Sequence, residues 1–332
     1  MTKHLKPLVG RTLLQTCELC PWTKPLLQKW GLRTSQEWFT DKTISVQLPG
    51  GKRMKMAGVA ENYLTFELFW RGLDYYEPIS LALMQELASG VNTFIDIGAN
   101  IGFYSLVLAS TNPHLRVTSF EPNPKAFRIL SANMRLNDLD RVKCEPMAVS
   151  DNDGKAVLFM CPSDMSASLE ADFESSTAGD PVTITTLDSY LTKHPIPDKF
   201  LLKVDVEGHE SALFRGAAET LENRKPDILC EITGPLAEDV TAFLGKKGYH
   251  FYSVTDEGLI RHDELELVSR GEYLFLNYLF TTARESEVKA LFERIRPRIQ
   301  NLDLSRTSKH VSPDMITRLR SRQDHTSAGM AA

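Results

Sequence analysis

The stretch Thr93-Phe-Ile-Asp-Ile-Gly-Ala-Asn-Ile-Gly102 decides the fold of this 332-residue chain. Its first five residues carry one charge, at Asp96, and are otherwise typical of a strand buried on both faces of a sheet. Gly98 and Gly102 then predict a tight loop, and an apolar helical pattern begins at Phe103. A strand, a glycine-rich loop and a helix in this order are typical of the first unit of a doubly wound α/β domain.

The same alternation of short apolar runs and helical segments continues toward the carboxyl terminus. We predict a doubly wound, seven-stranded, mostly parallel sheet with right-handed crossovers. A further pair of strands is predicted over 156–160 and 182–186, with a polar loop over 161–180 between them. The strands predicted to follow the first one are 117–120, 142–145, 200–205, 227–231, 249–254 and 273–280, and the helices between them include 124–137, 210–222 and 236–246.

This alternation divides the chain into three predicted regions. Residues 1–75 lack it and are predicted to form an N-terminal accessory or cap region. Residues 76–285 form the main domain, and residues 286–332 a helical and then disordered tail. Cys17 and Cys20 could be half of a zinc site, but no second ligand pair with zinc spacing completes it, so two ordinary thiols are the favoured interpretation.

The composition argues against several classes of protein. A formal net charge of −5 disfavours nucleic acid as a partner. No run of 18 apolar residues predicts a membrane span, and the amino terminus does not resemble a secretory signal, so we expect a cytoplasmic protein. The five cysteines, an odd number at irregular spacing, argue against a disulfide framework. The oligomeric state stays open.

Asp96, Glu121, Asp205 and Glu231 lie at or directly beside the carboxyl ends of four of the predicted strands. Parallel strands bring their carboxyl ends to one edge of the sheet, where ligands of doubly wound domains bind. A buried carboxylate is unfavourable unless it is paired or hydrogen-bonded. These acids therefore predict a functional cleft at this edge rather than a purely structural sheet.

The loop after Asp96 indicates which nucleotide this cleft binds. A dinucleotide-binding GxGxxG sequence fails, because Asn100 and Phe103 occupy two of its glycine positions, and the lysine of a P-loop is missing. Asp96 stands where it can meet a cationic amine. Glu121, at the end of the next strand, can accept hydrogen bonds from both ribose hydroxyls. Together the two acids fit a nucleoside attached to an amino acid, as in S-adenosylmethionine (SAM).

Three runs of sequence stand out around these acids. They are Phe94-Ile-Asp-Ile-Gly-Ala-Asn-Ile-Gly-Phe-Tyr-Ser105, Ser119-Phe-Glu-Pro-Asn-Pro124 and, most specifically, Leu202-Lys-Val-Asp-Val-Glu-Gly-His-Glu210. Together they resemble the FkbM family of SAM-dependent methyltransferases, over about residues 75–280. The resemblance implies a Rossmann-like class I methyltransferase fold, SAM as the methyl donor, and a hydroxyl acceptor on a small molecule, sugar or glycolipid.

The resemblance also implies which residues contact SAM. Ser150 and Asp151, after the third strand, would lie near the adenine, and Asp205 would close the pocket from the fourth strand. The set implied for the cofactor is Asp96, Gly98, Asn100, Gly102, Glu121, Asn123, Ser150, Asp151 and Asp205.

Methyl transfer to a hydroxyl needs alignment of the acceptor with the methyl carbon and removal of the hydroxyl proton. Asp205, Glu207 and His209 alternate at the end of the fourth strand. We predict His209 as the general base, because an imidazole titrates near neutral pH, with Glu207 orienting it or holding the substrate. In the alternative, His209 only bonds the nearby backbone and has a structural role.

Other interpretations of these residues stay open. Glu77 and Glu231 are predicted to contact the acceptor, although a surface position for Glu77 is the alternative. Glu231 and the polar residues of 205–209 could hold a divalent cation, but they also have a metal-free role, so we predict no metal. A nicotinamide-dependent oxidoreductase is disfavoured by the failed GxGxxG, and a non-catalytic nucleotide-binding module by the intact acids. A protein or RNA acceptor stays open.

Overall fold

The computed structural model describes residues 43–304 apart from five short segments, together with Thr23. Cys17 and Cys20, most of the predicted accessory region and the end of the tail lie outside the described residues. The five segments left out are 161–166, 171–176, 198, 233–236 and 266–275.

Strands and helices alternate through the middle of the chain, as predicted. The strands are β1 (Ile44–Gln47), β2 (Arg53–Met56), β3 (Thr93–Ile97), β4 (Arg116–Phe120), β5 (Val142–Glu145), β6 (Met147–Val149), β7 (Gly154–Met160), β8 (Ala167–Ser168), β9 (Thr177–Thr185), β10 (Leu201–Val204), β11 (Asp227–Ile232), β12 (His250–Val254), β13 (Leu259–His262) and β14 (Leu276–Thr281). The α-helices are α1 (Tyr63–Arg71), α2 (Pro78–Ala88), α3 (Phe103–Thr111), α4 (Pro124–Leu136), α5 (Leu187–Lys193), α6 (Glu210–Arg215), α7 (Ala218–Asn223), α8 (Ala237–Gly245) and α9 (Glu285–Ile299).

The large sheet has the order β13-β12-β14-β11-β10-β3-β4-β5 in the described part of the chain. Strands β11, β10, β3, β4 and β5 pair in parallel, whereas β14 runs antiparallel to both of its neighbours and β13 antiparallel to β12. The mostly parallel, doubly wound sheet is thus confirmed. The described part of this sheet has one strand more than predicted. The additional strand is β13, which lies at the edge, pairs on one side and does not need a continuous apolar run.

A second sheet of order β6-β9-β7-β8 extends beyond the end of β5. The predicted pairing of 156–160 with 182–186 is confirmed as the antiparallel contact between β7 and β9. The prediction of a loop throughout 161–180 is wrong, since β8 and the first residues of β9 lie within it. Because these strands are short or polar, their sequences lack the alternation of apolar and polar residues that predicts a strand.

Two helical layers cover the large sheet. Residues of α2, α3, α4 and α9 pack in one hydrophobic cluster, which β1, β2 and α1 also join, and residues of α5 to α8 pack in the other. The predicted single helix over 210–222 is two helices, α6 and α7, separated at Gly216. A Cβ at Gly216 would lie 1.9 Å from the carbonyl oxygen of Ser150, so this close approach interrupts the helix at a glycine. Among the described residues, no helix combines the length and apolarity needed to cross a membrane.

Candidate active site

A cavity of about 430 Å³ opens at the carboxyl ends of β3, β4 and β10. Three of the four strand-end acids line it, namely Asp96, Glu121 and Asp205, and the loop from Gly98 to Ile101 forms its floor. This is the edge at which doubly wound sheets bind ligands, and the volume suits a nucleoside-sized molecule.

The loop after β3 reaches this position through Gly98. Its φ of 77° is left-handed, and a Cβ there would lie 1.7 Å from the carbonyl oxygen of Asp205. The backbone N–H groups of Gly98 and Ala99 both donate to the carbonyl oxygen of Phe120 at the end of β4. The loop is therefore fixed between two neighbouring strands by contacts that only a glycine permits.

Asp96 is buried at the end of β3 and lines the cavity. Its Oδ2 accepts a hydrogen bond of 2.6 Å from the Ser105 hydroxyl, and its Oδ1 has no hydrogen-bond partner among the described residues. Burial raises the pKa of Asp96, and the ammonium group of Lys203 opposes that rise. A buried carboxylate oxygen without a partner fits a cationic ligand group such as the amine of SAM.

Lys203 is the main residue of the site that the sequence analysis missed. It lies opposite Asp96 in the register of β10 and β3 and is buried, with its Nζ 2.9 Å from Asp205 Oδ2 and 5.0 Å from the centre of the Tyr104 ring. Burial alone would lower the pKa of Lys203, but the carboxylates of Asp205 and Asp96 outweigh it and raise that pKa. The sequence does indicate that Lys203 has a charged partner, because a lysine inside the apolar run Leu201–Val204 is expected to be buried and then needs one.

Glu121 follows β4 and is also buried. Its Oε2 accepts 2.7 Å from the backbone N–H of Asn100, and its Oε1 accepts 2.8 Å from the backbone N–H of Asn123. Burial raises the pKa of Glu121 from the ordinary 4.5 to about 7, although these two hydrogen bonds oppose the shift. The side chain of Asn123 caps α4 by accepting from the N–H of Lys125, so Asn123 shapes the loop rather than lining the cavity.

The wall beyond Glu121 is formed by Met147, Ala148 and Val149 of β6. The described lining of the cavity does not include Ser150 and Asp151, which the resemblance places near the adenine. Ser150 is buried and its Oγ lies 2.9 Å from His209 Nε2. Asp151 pairs with Arg215 at 3.0 Å, and this hydrogen bond lowers the pKa of Asp151.

The turn after β10 brings Asp205, Glu207 and His209 to the cavity, although the chain does not stay extended, since Glu207 and Gly208 both have a positive φ. Glu207 has a left-handed φ of 53°, and its carbonyl oxygen accepts 2.7 Å from the hydroxyl of Ser168. His209 contacts side chains through both ring nitrogens, Ser150 through Nε2 and Glu170 through Nδ1. No sequence pattern links Glu170, which lies in the interval predicted to be a loop, to this histidine.

The two acids predicted to contact the acceptor lie behind the cavity rather than on its described lining. Glu77 is buried, which rules out its alternative surface position, and its Oε2 accepts 2.7 Å from the Tyr104 hydroxyl and 2.9 Å from Asn277 Nδ2. Glu231 is buried at the end of β11, where it pairs in register with Asn277 of β14. Glu77 therefore holds Tyr104, which lines the cavity, and Glu231 lies one strand further from it.

Glu210 is a further buried acid, close to the turn after β10. Glu210, at the start of α6, is buried, which raises its pKa to about 8, and its Oε1 accepts from the backbone N–H of Gly208. Within the described residues, no group of three or more acidic, histidine or cysteine side chains is arranged to hold a metal ion.

Comparisons with known proteins show which families and proteins this chain is similar to. The family model described as the Methyltransferase FkbM domain matches residues 96–251, the interval that contains Asp96, Glu121 and the 205–209 turn. The chain is similar to the hexuronic acid methyltransferase AglP of Haloferax volcanii, at 26% identity over 64% of this chain and 86% of that protein. A shorter match, at 40% identity over 21% of this chain and 28% of the relative, is to the methyltransferase sdnD of Sordaria araneosa.

Among solved structures, the chain is similar to the methyltransferase FkbM from Methylobacillus flagellatus KT. The alignment has 16% identity and a TM-score of 0.40, and it covers 57% of this chain. It spans 43% of that chain, less than half of its length.

Proposed function

The chain contains a SAM-dependent methyltransferase domain of the FkbM family over residues 96–251, and from this premise we propose that it methylates a hydroxyl oxygen of a small molecule or glycan. The observation that carries the proposal is the pair Asp96 and Glu121, two buried acids that line one cavity from neighbouring strands. Nothing found in the comparisons supports the oxidoreductase or the non-catalytic alternative.

The residues of the cavity fit SAM by their chemistry. The partnerless Oδ1 of Asp96 suits the amine of the methionine portion, and Glu121 suits the ribose hydroxyls. Asp205 adds a second carboxylate on the amine side, where Lys203 holds it. We assign the remaining members of the implied set to shaping the site: Gly98, Asn100, Gly102 and Asn123 in the loop and the helix starts, and Ser150 and Asp151 behind the adenine wall, the name we give to Met147, Ala148 and Val149.

SAM supplies an electrophilic methyl group on a sulfonium. The chain must bring an acceptor hydroxyl in line with that carbon and take up its proton. We propose His209 as the general base and Glu207 as a residue that contacts the acceptor, because both line the cavity beside Asp205. Glu77 then acts from outside the lining, by accepting hydrogen bonds from the Tyr104 hydroxyl and from Asn277, and Glu231 lies opposite Asn277 in the register of β11 and β14.

A sugar acid is the first acceptor class to test, because AglP, named as a hexuronic acid methyltransferase, matches over 64% of this chain. The reaction is expected in the cytoplasm, as the sequence predicts. Methylation of a sugar hydroxyl needs no metal in this proposal, since His209 supplies the base.

The test is a methyl-transfer assay with SAM labelled in its methyl group. The acceptors are an alkyl glucuronide, the matched alkyl glucoside and the matched 2-amino-2-deoxyglucoside, with Glu121→Gln as the control enzyme. We expect label in the glucuronide as a methyl ether, which survives mild alkali, and much less label with Glu121→Gln. Label released by mild alkali would indicate a methyl ester on the carboxylate, and label only in the amino sugar would indicate N-methylation. Either result would contradict the proposal.

A further inference from the structure

The imidazole of His209 is held from two sides by side chains that are distant in sequence. Its Nδ1 lies 2.6 Å from Glu170 Oε1, and its Nε2 lies 2.9 Å from the Ser150 hydroxyl oxygen. The His209 side chain is 11% exposed, whereas the Glu170 side chain is 49% exposed. The ring is thus fixed in orientation at the edge of the cavity, with a carboxylate on its outer side.

The Glu170 contact determines which ring nitrogen can accept a proton. An ionised carboxylate only accepts hydrogen bonds, so the short contact requires a hydrogen on Nδ1. In the neutral ring, Nε2 is then the nitrogen with the free electron pair, and the Ser150 hydroxyl can donate to it. A hydrogen bond from the ring nitrogen that faces away from the reacting group, here Nδ1, is the usual way in which a protein selects the tautomer of a histidine.

We propose that Glu170 is a positioning residue that holds His209 in the tautomer with hydrogen on Nδ1, so that Nε2 serves as the base for the acceptor hydroxyl. This inference rests on the proposed function. The acceptor hydroxyl replaces the Ser150 hydroxyl as the donor to Nε2, which takes up its proton. The acceptor oxygen forms a bond to the methyl carbon, and the carbon–sulfur bond breaks with its electron pair left on sulfur. Glu170 stabilises the positive charge that the ring acquires.

Ser168 provides the matched control for this role. Its hydroxyl donates to the carbonyl oxygen of Glu207 at 2.7 Å and accepts from the backbone N–H of Glu170 at 3.0 Å. It therefore anchors the same short segment to the same turn without touching the imidazole. If Glu170 only anchors the segment, Ser168→Ala and Glu170→Gln have the same effect. If Glu170 selects the tautomer, only Glu170→Gln changes the ring.

The experiment is ¹⁵N NMR of the full-length protein with labelled histidine at pH 8.5, without SAM or acceptor. The signals of His209 are assigned from the spectrum of His209→Gln. We expect hydrogen on Nδ1 and a free Nε2 in the wild type and in Ser168→Ala, and a mixture of tautomers in Glu170→Gln. Hydrogen on Nε2 in the wild type, hydrogen on both nitrogens at this pH, or an unchanged tautomer in Glu170→Gln would overturn the inference.

Calorimetry with SAM on the same samples separates this inference from the proposed function. If the wild type does not bind SAM, the proposed function is contradicted. The NMR result tests only the role of Glu170 in selecting the tautomer of His209. In the transfer assay, we expect kcat of Glu170→Gln to fall by about 10- to 100-fold with little change in the KM for SAM, and Glu170→Asp to recover part of the loss. A rise in the KM for SAM with an unchanged kcat would overturn the positioning role.

Discussion

The two sides of the cavity are built in different ways. On the cofactor side, Glu121 bonds the backbone of Asn100, 21 positions away, and the backbone of Asn123, two positions away. Around the proposed base His209, Glu170 and Ser150 approach the ring across 39 and 59 positions, and both partners are side chains. The contacts of Glu121 are therefore encoded within one β-α-β unit, while the surroundings of His209 depend on how distant segments meet.

This difference indicates which contacts of the cavity depend on side chains elsewhere in the chain. Backbone donors on a glycine loop remain the same whatever the neighbouring side chains are, so the contacts of Glu121 are insensitive to side chains outside the loop. The acceptor side changes with every segment that reaches it. We therefore expect substitutions on the cofactor side to affect SAM binding and folding, and those on the acceptor side to affect turnover.

The largest effect is expected from Gly98→Ala. The added methyl group would lie 1.7 Å from the carbonyl oxygen of Asp205 at a left-handed φ, so β3 and β10 must move apart. We expect a loss of about 3 kcal/mol or more in the free energy of unfolding, measured in urea, and more than about 100-fold weaker SAM binding. The control is Gly248→Ala, which has a φ of 85° and open space, and should cost only about 1 to 2 kcal/mol. Equal losses in the two variants would contradict the close approach.

The next effect is expected from Lys203→Met. It leaves the buried carboxylate of Asp96 and the partly buried carboxylate of Asp205 without their cation, and breaking a buried pair in this way costs about 3 kcal/mol. The matched control is Lys143→Met, because the ion pair of Lys143 with Glu145 is 2.7 Å long but its lysine side chain is half-exposed. That control should lose less than about 1 kcal/mol in urea unfolding. A Lys203→Met protein as stable as its control would show that the buried acids are protonated and need no cation.

A moderate effect is expected from Glu121→Gln, which removes a charged acceptor for the ribose hydroxyls. We expect SAM binding, measured by calorimetry at pH 8, to weaken by about 10- to 100-fold. In the wild type, affinity should rise as the pH rises through about 7, because the ionised carboxylate is the better acceptor. This pH dependence should be lost in the variant. Retention of it would assign the titration to another group.

The raised pKa of Glu121 also determines the direction in which the stability of the folded protein changes with pH. The pKa of Glu121 is 4.5 in ordinary surroundings and about 7 in the folded protein, so the folded state binds more protons between these values. Its contribution to stability is therefore present below about pH 4.5 and is lost as the pH rises through about 7. Urea unfolding without SAM should show a smaller decline in stability over this range for Glu121→Gln than for the wild type. Identical slopes would contradict the assignment.

The smallest effect is expected from Asp151→Asn. Asp151 pairs with Arg215 on a partly exposed surface behind the adenine wall, and exposed pairs contribute about 0 to 1 kcal/mol. We expect less than about a two-fold change in the SAM dissociation constant. A change above about ten-fold would place Asp151 in direct contact with the adenine and would move the cavity wall outward from β6.

The sequence predicted the parts of the molecule that local patterns encode. The strands β3, β4 and β5 and the acids Asp96 and Glu121 were recognised, because an apolar strand followed by a loop is a short-range signal. The edge strand β13, the break at Gly216 and the partner Glu170 were not, because each depends on a segment elsewhere in the chain. Lys203 falls between these cases, since its position in an apolar strand signalled a buried partner but did not identify which acids surround it.

The most direct measurement is a crystal structure of the protein with S-adenosylhomocysteine. We expect the ribose hydroxyls within hydrogen-bond distance of the Glu121 carboxylate, the amine beside Asp96, and the adenine against Met147 to Val149. A nucleoside bound away from β3 and β4, with Glu121 still bonded only to the N–H groups of Asn100 and Asn123, would contradict it.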